Sequence, residues 1–395
     1  MSRAVLASRV ADLKPSPTLA ITAKARAMKA EGHDIVSFAA GEPDFNTPEE
    51  ICQSAIQAIE SGFTKYTPSA GIPELRERIR EKLARENGIH VEPAQIVVSC
   101  GAKHSVYNTM MVLLEPGDEV LLIAPYWMTY ADQIRLAGGV PVVVPTRAEA
   151  GFVPTVDALR EKITSKTRAI VVNSPSNPTG AVLGRETLKQ IAALALRHDL
   201  YVVADEIYEK LLYEGSHVSI ASLGREIAAR TITIGGCSKT YAMTGWRIGY
   251  AAAPTEIAKA MSNFQDQVTS NPTSFAQRGA VAAYGMSDDQ VSAMREEFRA
   301  RRDLILELLG RIPGVDTPVP GGAFYVFPSF ASFLGEGLPD DVALAQFLLE
   351  NAKVATIPGS VFEGPGHLRL SYACSRADIE RGVERIAEAL KPLCP

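Results

Sequence analysis

The sequence predicts an α/β fold: a large domain with a mostly parallel, seven-stranded sheet covered by helices, and a smaller α+β domain beside it. Three observations carry this expectation. Strand-like and helix-like stretches alternate through the middle of the chain, the pattern of a parallel sheet with crossover helices. Runs such as Val120-Leu121-Leu122-Ile123 and Ala169-Ile170-Val171-Val172 are apolar without a break, as strands covered on both faces are. The length of 395 residues exceeds the size at which one hydrophobic core keeps growing, so two domains are expected.

Taken in order, segment 1–45 carries a helical pattern over 19–29, closed by Glu31-Gly32, and a short apolar run over 35–38. Ala40-Gly41-Glu42-Pro43-Asp44-Phe45 reads as a loop between units. The next helix is expected to use Thr47 as N-cap and Pro48 as its first residue. The large domain is expected over 46–287. Its helix at 73–87 starts on proline, repeats Leu75, Ile79 and Leu83 at four-residue spacing, and stops at Gly88. Strands are predicted at 96–99, 119–124, 140–144, 169–173, 201–204, 231–234 and 248–252. The small domain, 288–395, opens with a charged helix over 296–309. Strands follow at 321–327, 354–357 and 368–371, flanked by two helices, and the N-terminal segment is expected to join this unit. In open α/β sheets ligands gather at the carboxyl ends of the strands, so the polar residues after each apolar run are the candidates for chemistry.

A net charge of -5, with no block of five like charges, argues against a nucleic-acid groove or a polybasic membrane surface. Small molecules are the expected partners. The five cysteines include no C-x-x-C pair, so neither a disulfide framework nor a metal site is expected. The first residues lack the continuous apolar core of a signal peptide and no later run is long enough to span a membrane. A cytoplasmic location is the resulting expectation.

Lys239 and Arg247 stand eight residues apart among small residues between two apolar strands. A lysine that forms an imine needs room for a cofactor ring, and an arginine nearby grips phosphate with a fork of donors. A solvated basic loop explains the same residues. Asp205 follows Val202-Val203-Ala204, with Tyr208 three residues on. A carboxylate where a buried strand emerges needs a cation, and in pyridoxal-phosphate chemistry that is the pyridine nitrogen. A helix N-cap is the alternative. Asn173-Ser174-Pro175-Ser176-Asn177-Pro178-Thr179-Gly180 forms a rigid turn that either aims the Asn177 amide at a ring oxygen or serves structure alone. Gly101 and Ala102, between a strand and a helix, present N–H groups where phosphate is favoured, although any tight strand-to-helix turn uses a glycine.

In this order the pieces resemble a class I aminotransferase. Gly-Glu-Pro-Asp-Phe at 41–45, Lys-Tyr-Thr-Pro at 65–68, Pro-Tyr-Trp at 125–127, Ser-Asn-Pro-Thr-Gly at 176–180, Asp-Glu-Ile-Tyr at 205–208, Ser-Lys-Thr-Tyr at 238–241 and Arg-Leu-Ser-Tyr at 369–372 all match. The similarity is strongest to the bacterial aspartate aminotransferase branch, which includes members that use prephenate. It implies pyridoxal 5'-phosphate as cofactor, the fold type I architecture, and a homodimer with shared active sites.

The resemblance also implies roles. Lys239 becomes the imine-forming lysine and proton shuttle, Asp205 the partner of the pyridine nitrogen, and Asn177 and Tyr208 the donors to the ring hydroxyl. Trp127 stacks on the ring. Arg247, Gly101 and Ala102 hold the phosphate, and Tyr66 reaches the phosphate of the neighbouring subunit's cofactor. Arg369 binds the substrate α-carboxylate, with Gly41 closing over it and with Trp127 and Asn177 also beside the substrate. Lys103 faces a distal carboxylate, which favours aspartate, glutamate and 2-oxoglutarate, and Lys14 matches a lysine associated with prephenate. Gly236 departs from the pattern, since many relatives carry a serine there for the phosphate. The implied reaction is ping-pong transfer between an amino acid and a 2-keto acid.

Two rivals are set against this reading. Another fold type I enzyme, a C-S lyase or a decarboxylase, shares Lys239, Asp205 and Arg247. A regulatory module without turnover carries a DNA-binding domain, for which the roughly 35 residues before the Ala39-Ala40-Gly41 loop are too few. A nicotinamide dehydrogenase is weaker still, because no G-x-G-x-x-G follows a strand.

Overall fold

The computed structural model describes residues 6, 7, 10, 13 and 17–393. Its strands are β1 (Val36–Ser37), β2 (Ile96–Ser99), β3 (Glu119–Ile123), β4 (Val140–Val144), β5 (Thr167–Asn173), β6 (Tyr201–Asp205), β7 (Thr231–Gly236), β8 (Gly249–Ala252), β9 (Tyr325–Val326), β10 (Val354–Ala355), β11 (Ile357–Pro358) and β12 (Leu368–Ser371). The central sheet has the order β2-β8-β7-β6-β5-β3-β4. Strands β3 to β7 pair in parallel, and β8 runs antiparallel to both β2 and β7. The cause of the reversal is local. The link from β7 to β8 holds only the 3-10 turn Thr244–Trp246, and no helix carries the chain back across the sheet.

The unbroken apolar strands serve two cores. Leu121, Ile170, Val172, Val202 and Ala204 pack on one side of the sheet. Val120, Leu122, Ala169, Val171 and Val203 alternate with them and pack on the other. Period-two alternation between two buried faces leaves no position for a polar side chain until the strand ends. Those ends are brought into line by register: Asn173 pairs with Asp205 and Gly236 with Gly249.

A further core joins both chain ends. Val36 and Phe38 pack with Phe298, Ile305, Phe324, Leu368, Leu370 and Ile386. Strand β1 pairs in parallel with β10, while β12 lies between β11 and β9.

Several local expectations are corrected. Thr47 is not an N-cap: its hydroxyl donates to the Ala242 carbonyl at 2.7 Å and accepts from Trp246 Nε1 at 3.0 Å, while the helix Glu49–Glu60 starts one residue later than expected. The strand expected at 321–327 shrinks to Tyr325–Val326, because Gly321 and Gly322 both donate to the Gly180 carbonyl and Ala323 has φ 59°. The run 354–357 divides at Thr356 into two strands with different partners. The charged helix is longer, Asp289–Leu309. The helix at 73–87 closes with a π turn, Leu83–Asn87, ahead of a left-handed Gly88. No described helix is long and apolar enough to cross a membrane.

Candidate active site

Asp205 is the last residue of β6 and only 3% exposed. No helix follows it, so the N-cap alternative falls. Its Oδ2 accepts from the Tyr130 hydroxyl at 2.6 Å and its Oδ1 from the Ile207 N–H at 3.2 Å. Burial pushes its carboxyl up to about 6, against the lowering influence of those two donors and of Lys239. Asn173, its neighbour across the ladder, donates from Nδ2 to the Asp205 carbonyl at 3.0 Å and accepts from the Asn177 N–H at 2.9 Å. The turn after β5 is thereby anchored to β6.

Lys239 lies in the β7–β8 link, and its Nζ donates to the Gly41 carbonyl. The ammonium also sits 5.9 Å from the centre of the Tyr208 ring and 5.7 Å from that of Phe324. Burial is the main cause that brings it down to about 8; Glu42 opposes, and Arg369 and Arg247 add to the lowering. An amine near neutrality is a nucleophile and a proton carrier.

On the other side of Lys239 the chain builds a cradle. Gly101, with φ 89°, precedes the helix Ala102–Leu113. As its first residues, Ala102 and Lys103 present N–H groups with no intrahelical acceptor. The Arg247 guanidinium, exposed, covers Gly101 so closely that a Cβ there would lie 2.5 Å from Nη2. Nη1 is steadied by the Thr244 carbonyl at 2.7 Å. A Cβ on Gly249 would lie 2.1 Å from the Ala102 nitrogen, so the helix start rests directly on β8. At Gly236 a Cβ would meet the Gly249 Cα at 2.9 Å and the Ile248 carbonyl at 3.0 Å. The β7–β8 pairing therefore crowds any side chain at this position.

Arg369, on β12, is 2% exposed. It donates to Asn177 Oδ1 at 3.1 Å and to the Ala39 carbonyl at 3.0 Å, and its Nε has no hydrogen-bond partner among the described residues. Its guanidinium lies 4.6 Å over the Tyr325 ring, and the Tyr325 hydroxyl is 2.9 Å from that of Tyr208. Among the described residues no carboxylate pairs with Arg369. A buried cation without a counter-ion is costly, and a carboxylate ligand relieves that cost.

At the mouth, the Lys103 ammonium lies 4.9 Å over the Trp127 ring, and Trp127 meets Tyr130 edge-on at 5.3 Å. Burial, then the Arg247 charge, lowers the Lys103 ammonium. Tyr66 is 92% exposed and takes no part in this cluster. Lys14 lies outside the described residues.

The site thus combines Lys103, Lys239, Arg247 and Arg369 with two acids, Asp205 and Glu42. This donor set fits pyridoxal phosphate: an amine for the aldehyde, a buried carboxylate for the pyridine nitrogen, and a glycine-lined helix start with a guanidinium for the phosphate. Sequence reasoning missed Tyr130 and Tyr325. The first follows Trp127 by three residues at the start of the helix Thr129–Leu136, just beyond the Pro-Tyr-Trp motif, and the second lies within the strand predicted at 321–327, after the Gly321-Gly322 pair. The described cysteines 52, 100, 237 and 374 are free.

Residues 33–386 match the family model described as aminotransferase class I and II. The chain is 51% identical over 391 residues to a probable aspartate/prephenate aminotransferase of Aquifex aeolicus, covering 98% of this chain and 99% of that protein. It is 50% identical over 385 residues to the aspartate aminotransferase of Geobacillus stearothermophilus, covering 96% and 98%. The solved structure of the Thermus thermophilus aspartate aminotransferase with maleate superimposes with a TM-score of 0.94 at 46% identity, covering 98% of this chain and 100% of that one.

Proposed function

The chain belongs to the class I and II aminotransferases, and from that membership we propose that it moves an amino group between L-aspartate, or another dicarboxylic amino acid, and 2-oxoglutarate. Its architecture is the fold type I of pyridoxal-phosphate enzymes. The observation that carries the substrate reading is the buried, unpaired Arg369 facing a site whose mouth holds a second cation, Lys103. Two separated cations match the two carboxylates of a dicarboxylic substrate. Pyridoxal 5'-phosphate, when bound, supplies an electron sink for the charge that develops at the substrate α-carbon.

In this reading Lys239 would hold the cofactor through its amine, and its Nζ, once free, would take the α-proton of the substrate and return it at the end of the transfer. Asp205 would keep the pyridine nitrogen protonated, Asn177 and Tyr208 would donate to the ring hydroxyl, and Trp127 would stack on the ring face. Gly101 and Ala102 give main-chain N–H groups to the phosphate and Arg247 gives its fork. Arg369 clamps the α-carboxylate between the Asn177 turn and the Gly41 loop, and excludes water as that loop closes. The two half-reactions share one site, so the kinetics are ping-pong.

The exposure of Tyr66 supports a homodimer with shared sites, in which this residue reaches the neighbour's phosphate. The core uniting both chain ends supports the division into 1–45 with 288–395 as the small domain and 46–287 as the large one. A cytoplasmic location suits an amino-acid substrate of this kind. Prephenate is a second acceptor in this reading, on the strength of the Aquifex relative's name; arogenate formation from prephenate and an amino donor tests it directly.

The deciding experiment is the visible spectrum of the purified protein. A yellow band that bleaches with L-aspartate and returns with 2-oxoglutarate is expected, with no turnover by Lys239→Ala. Absence of the band after pyridoxal phosphate is supplied overturns the cofactor reading, and release of ammonia or carbon dioxide, in place of a keto acid with the amine total conserved, points to the lyase or decarboxylase.

A further inference from the structure

We propose that Tyr130 is a positioning residue that acts through Asp205: its hydroxyl, 2.6 Å from Oδ2, holds that carboxylate ionised and aimed at the pyridine nitrogen. The inference rests on the cofactor reading above. Tyr130 is 1% exposed, so its phenol has no solvent to bond, and Asp205 is its acceptor. Its ring is also packed edge-on against Trp127. The helix Thr129–Leu136 therefore brings together the ring that stacks on the cofactor and the hydroxyl that steadies the acid beneath it.

The other groups around Asp205 leave this task to Tyr130. Oδ1 is taken by the Ile207 N–H at the longer distance of 3.2 Å. Glu206 is turned away, toward the Ser219 hydroxyl at 2.6 Å, Asn87 Nδ2 at 3.0 Å and His217. The Tyr208 hydroxyl is engaged by that of Tyr325, and Lys239 reaches Gly41. Burial and the adjacent carboxylate raise the Tyr130 phenol well above its ordinary range, so it remains a donor at any working pH.

The consequence concerns one proton. Between a pyridine nitrogen and a carboxylate, the proton stays on the ring while the carboxylate is the weaker base. A hydroxyl donated to the carboxylate keeps it weak. Without that hydroxyl Asp205 becomes more basic and draws the proton away from the ring, which then withdraws electrons less strongly. The imine nitrogen that Lys239 contributes becomes easier to protonate, and the band of the loaded protein titrates at higher pH.

The test is a double-mutant cycle on the pyridoxal-phosphate-loaded protein: wild type, Tyr130→Phe, Asp205→Asn and the pair, each titrated by visible absorbance and assayed for cofactor release. Tyr130→Phe keeps the ring and should raise the midpoint by about half a pH unit or more, roughly a threefold change in equilibrium. Cofactor release should quicken. In the Asp205→Asn background the same substitution should change neither quantity. An unshifted midpoint in Tyr130→Phe, or an equal shift with and without Asp205, overturns the proposal. Far-UV circular dichroism checks that each variant folds; if Tyr130→Phe does not, selective 3-fluorotyrosine substitution at this position is titrated in its place, and an unchanged midpoint there is equally decisive. Loss of the wild-type band itself would instead defeat the cofactor reading.

Discussion

The Arg369 guanidinium donates from Nη1 to Asn177 Oδ1 at 3.1 Å, across 192 residues of chain, and so ties β12 to the turn after β5. In the proposed function, a carboxylate bound to Arg369 would therefore lie beside the same amide assigned to the cofactor ring, and substrate binding and cofactor orientation would share one hydrogen-bond network.

Replacing this fork tests its role. Arg369→Lys keeps a charge but cannot serve the Asn177 amide, the Ala39 carbonyl and a carboxylate together. Its kcat/KM for aspartate should fall by about a hundredfold, ~3 kcal/mol, as for truncating a buried charge-assisted pair. Steady-state kinetics beside a circular dichroism spectrum decide it, and an unchanged kcat/KM removes Arg369 from substrate binding.

The amine of Lys239 should titrate near 8 in the cofactor-free protein, chiefly because it is buried. A depressed ammonium contributes stability that is fully present above its ordinary 10.5 and is lost as pH falls through about 8. The cofactor-free wild type should thus lose stability relative to Lys239→Met as pH drops from 10.5 to about 8, and the difference should level off below that. Labelling by an amine-directed reagent should show the same midpoint; a midpoint near 10.5 contradicts the burial described.

Substrate choice should depend on Lys103. Lys103→Ser removes one partly desolvated cation and should reduce kcat/KM for aspartate by about tenfold, the effect of a single charge-assisted hydrogen bond. Transfer from alanine, which has no distal carboxylate, should change little. The aspartate-to-alanine ratio is the quantity to measure, and a constant ratio refutes the assignment.

The contact between β8 and the phosphate cradle should be intolerant of a single methyl. Gly249→Ala places a Cβ 2.1 Å from the Ala102 nitrogen, whereas at Gly285 a Cβ would meet nothing within 4 Å. Gly249→Ala should cost about 1–3 kcal/mol by overpacking and speed the loss of cofactor. Gly285→Ala serves as the control in thermal melts and release assays, and equal behaviour of the two would show that the helix start has room to move.

Much of the site was legible because parallel strands concentrate polar chemistry at their ends. Asp205, Asn177 and Lys239 each follow a buried strand within a few residues, so a local pattern of apolar run, then polar residue, marks them. The partners that tune them left no local mark. Tyr130 and Asp205 are 75 residues apart, and Tyr208 and Tyr325 are 117 apart. Thr47 has the chemistry of an N-cap, yet two long-range hydrogen bonds to the Ala242 carbonyl and the Trp246 indole claim its hydroxyl.

By itself, then, the sequence determined the α/β class, the order of the central strands' apolar runs and the candidates for the reactive groups, because period-two burial and residue chemistry are properties of short segments. Only the tertiary structure decided that β8 reverses direction, that Arg369 is buried without a carboxylate partner among the described residues, and that Tyr130 faces Asp205. Those outcomes depend on which distant surfaces pack together and exclude water. Burial, and with it the lowered amine of Lys239 and the raised carboxyl of Asp205, arises only when the strands, the helix starts and both chain ends close around one site.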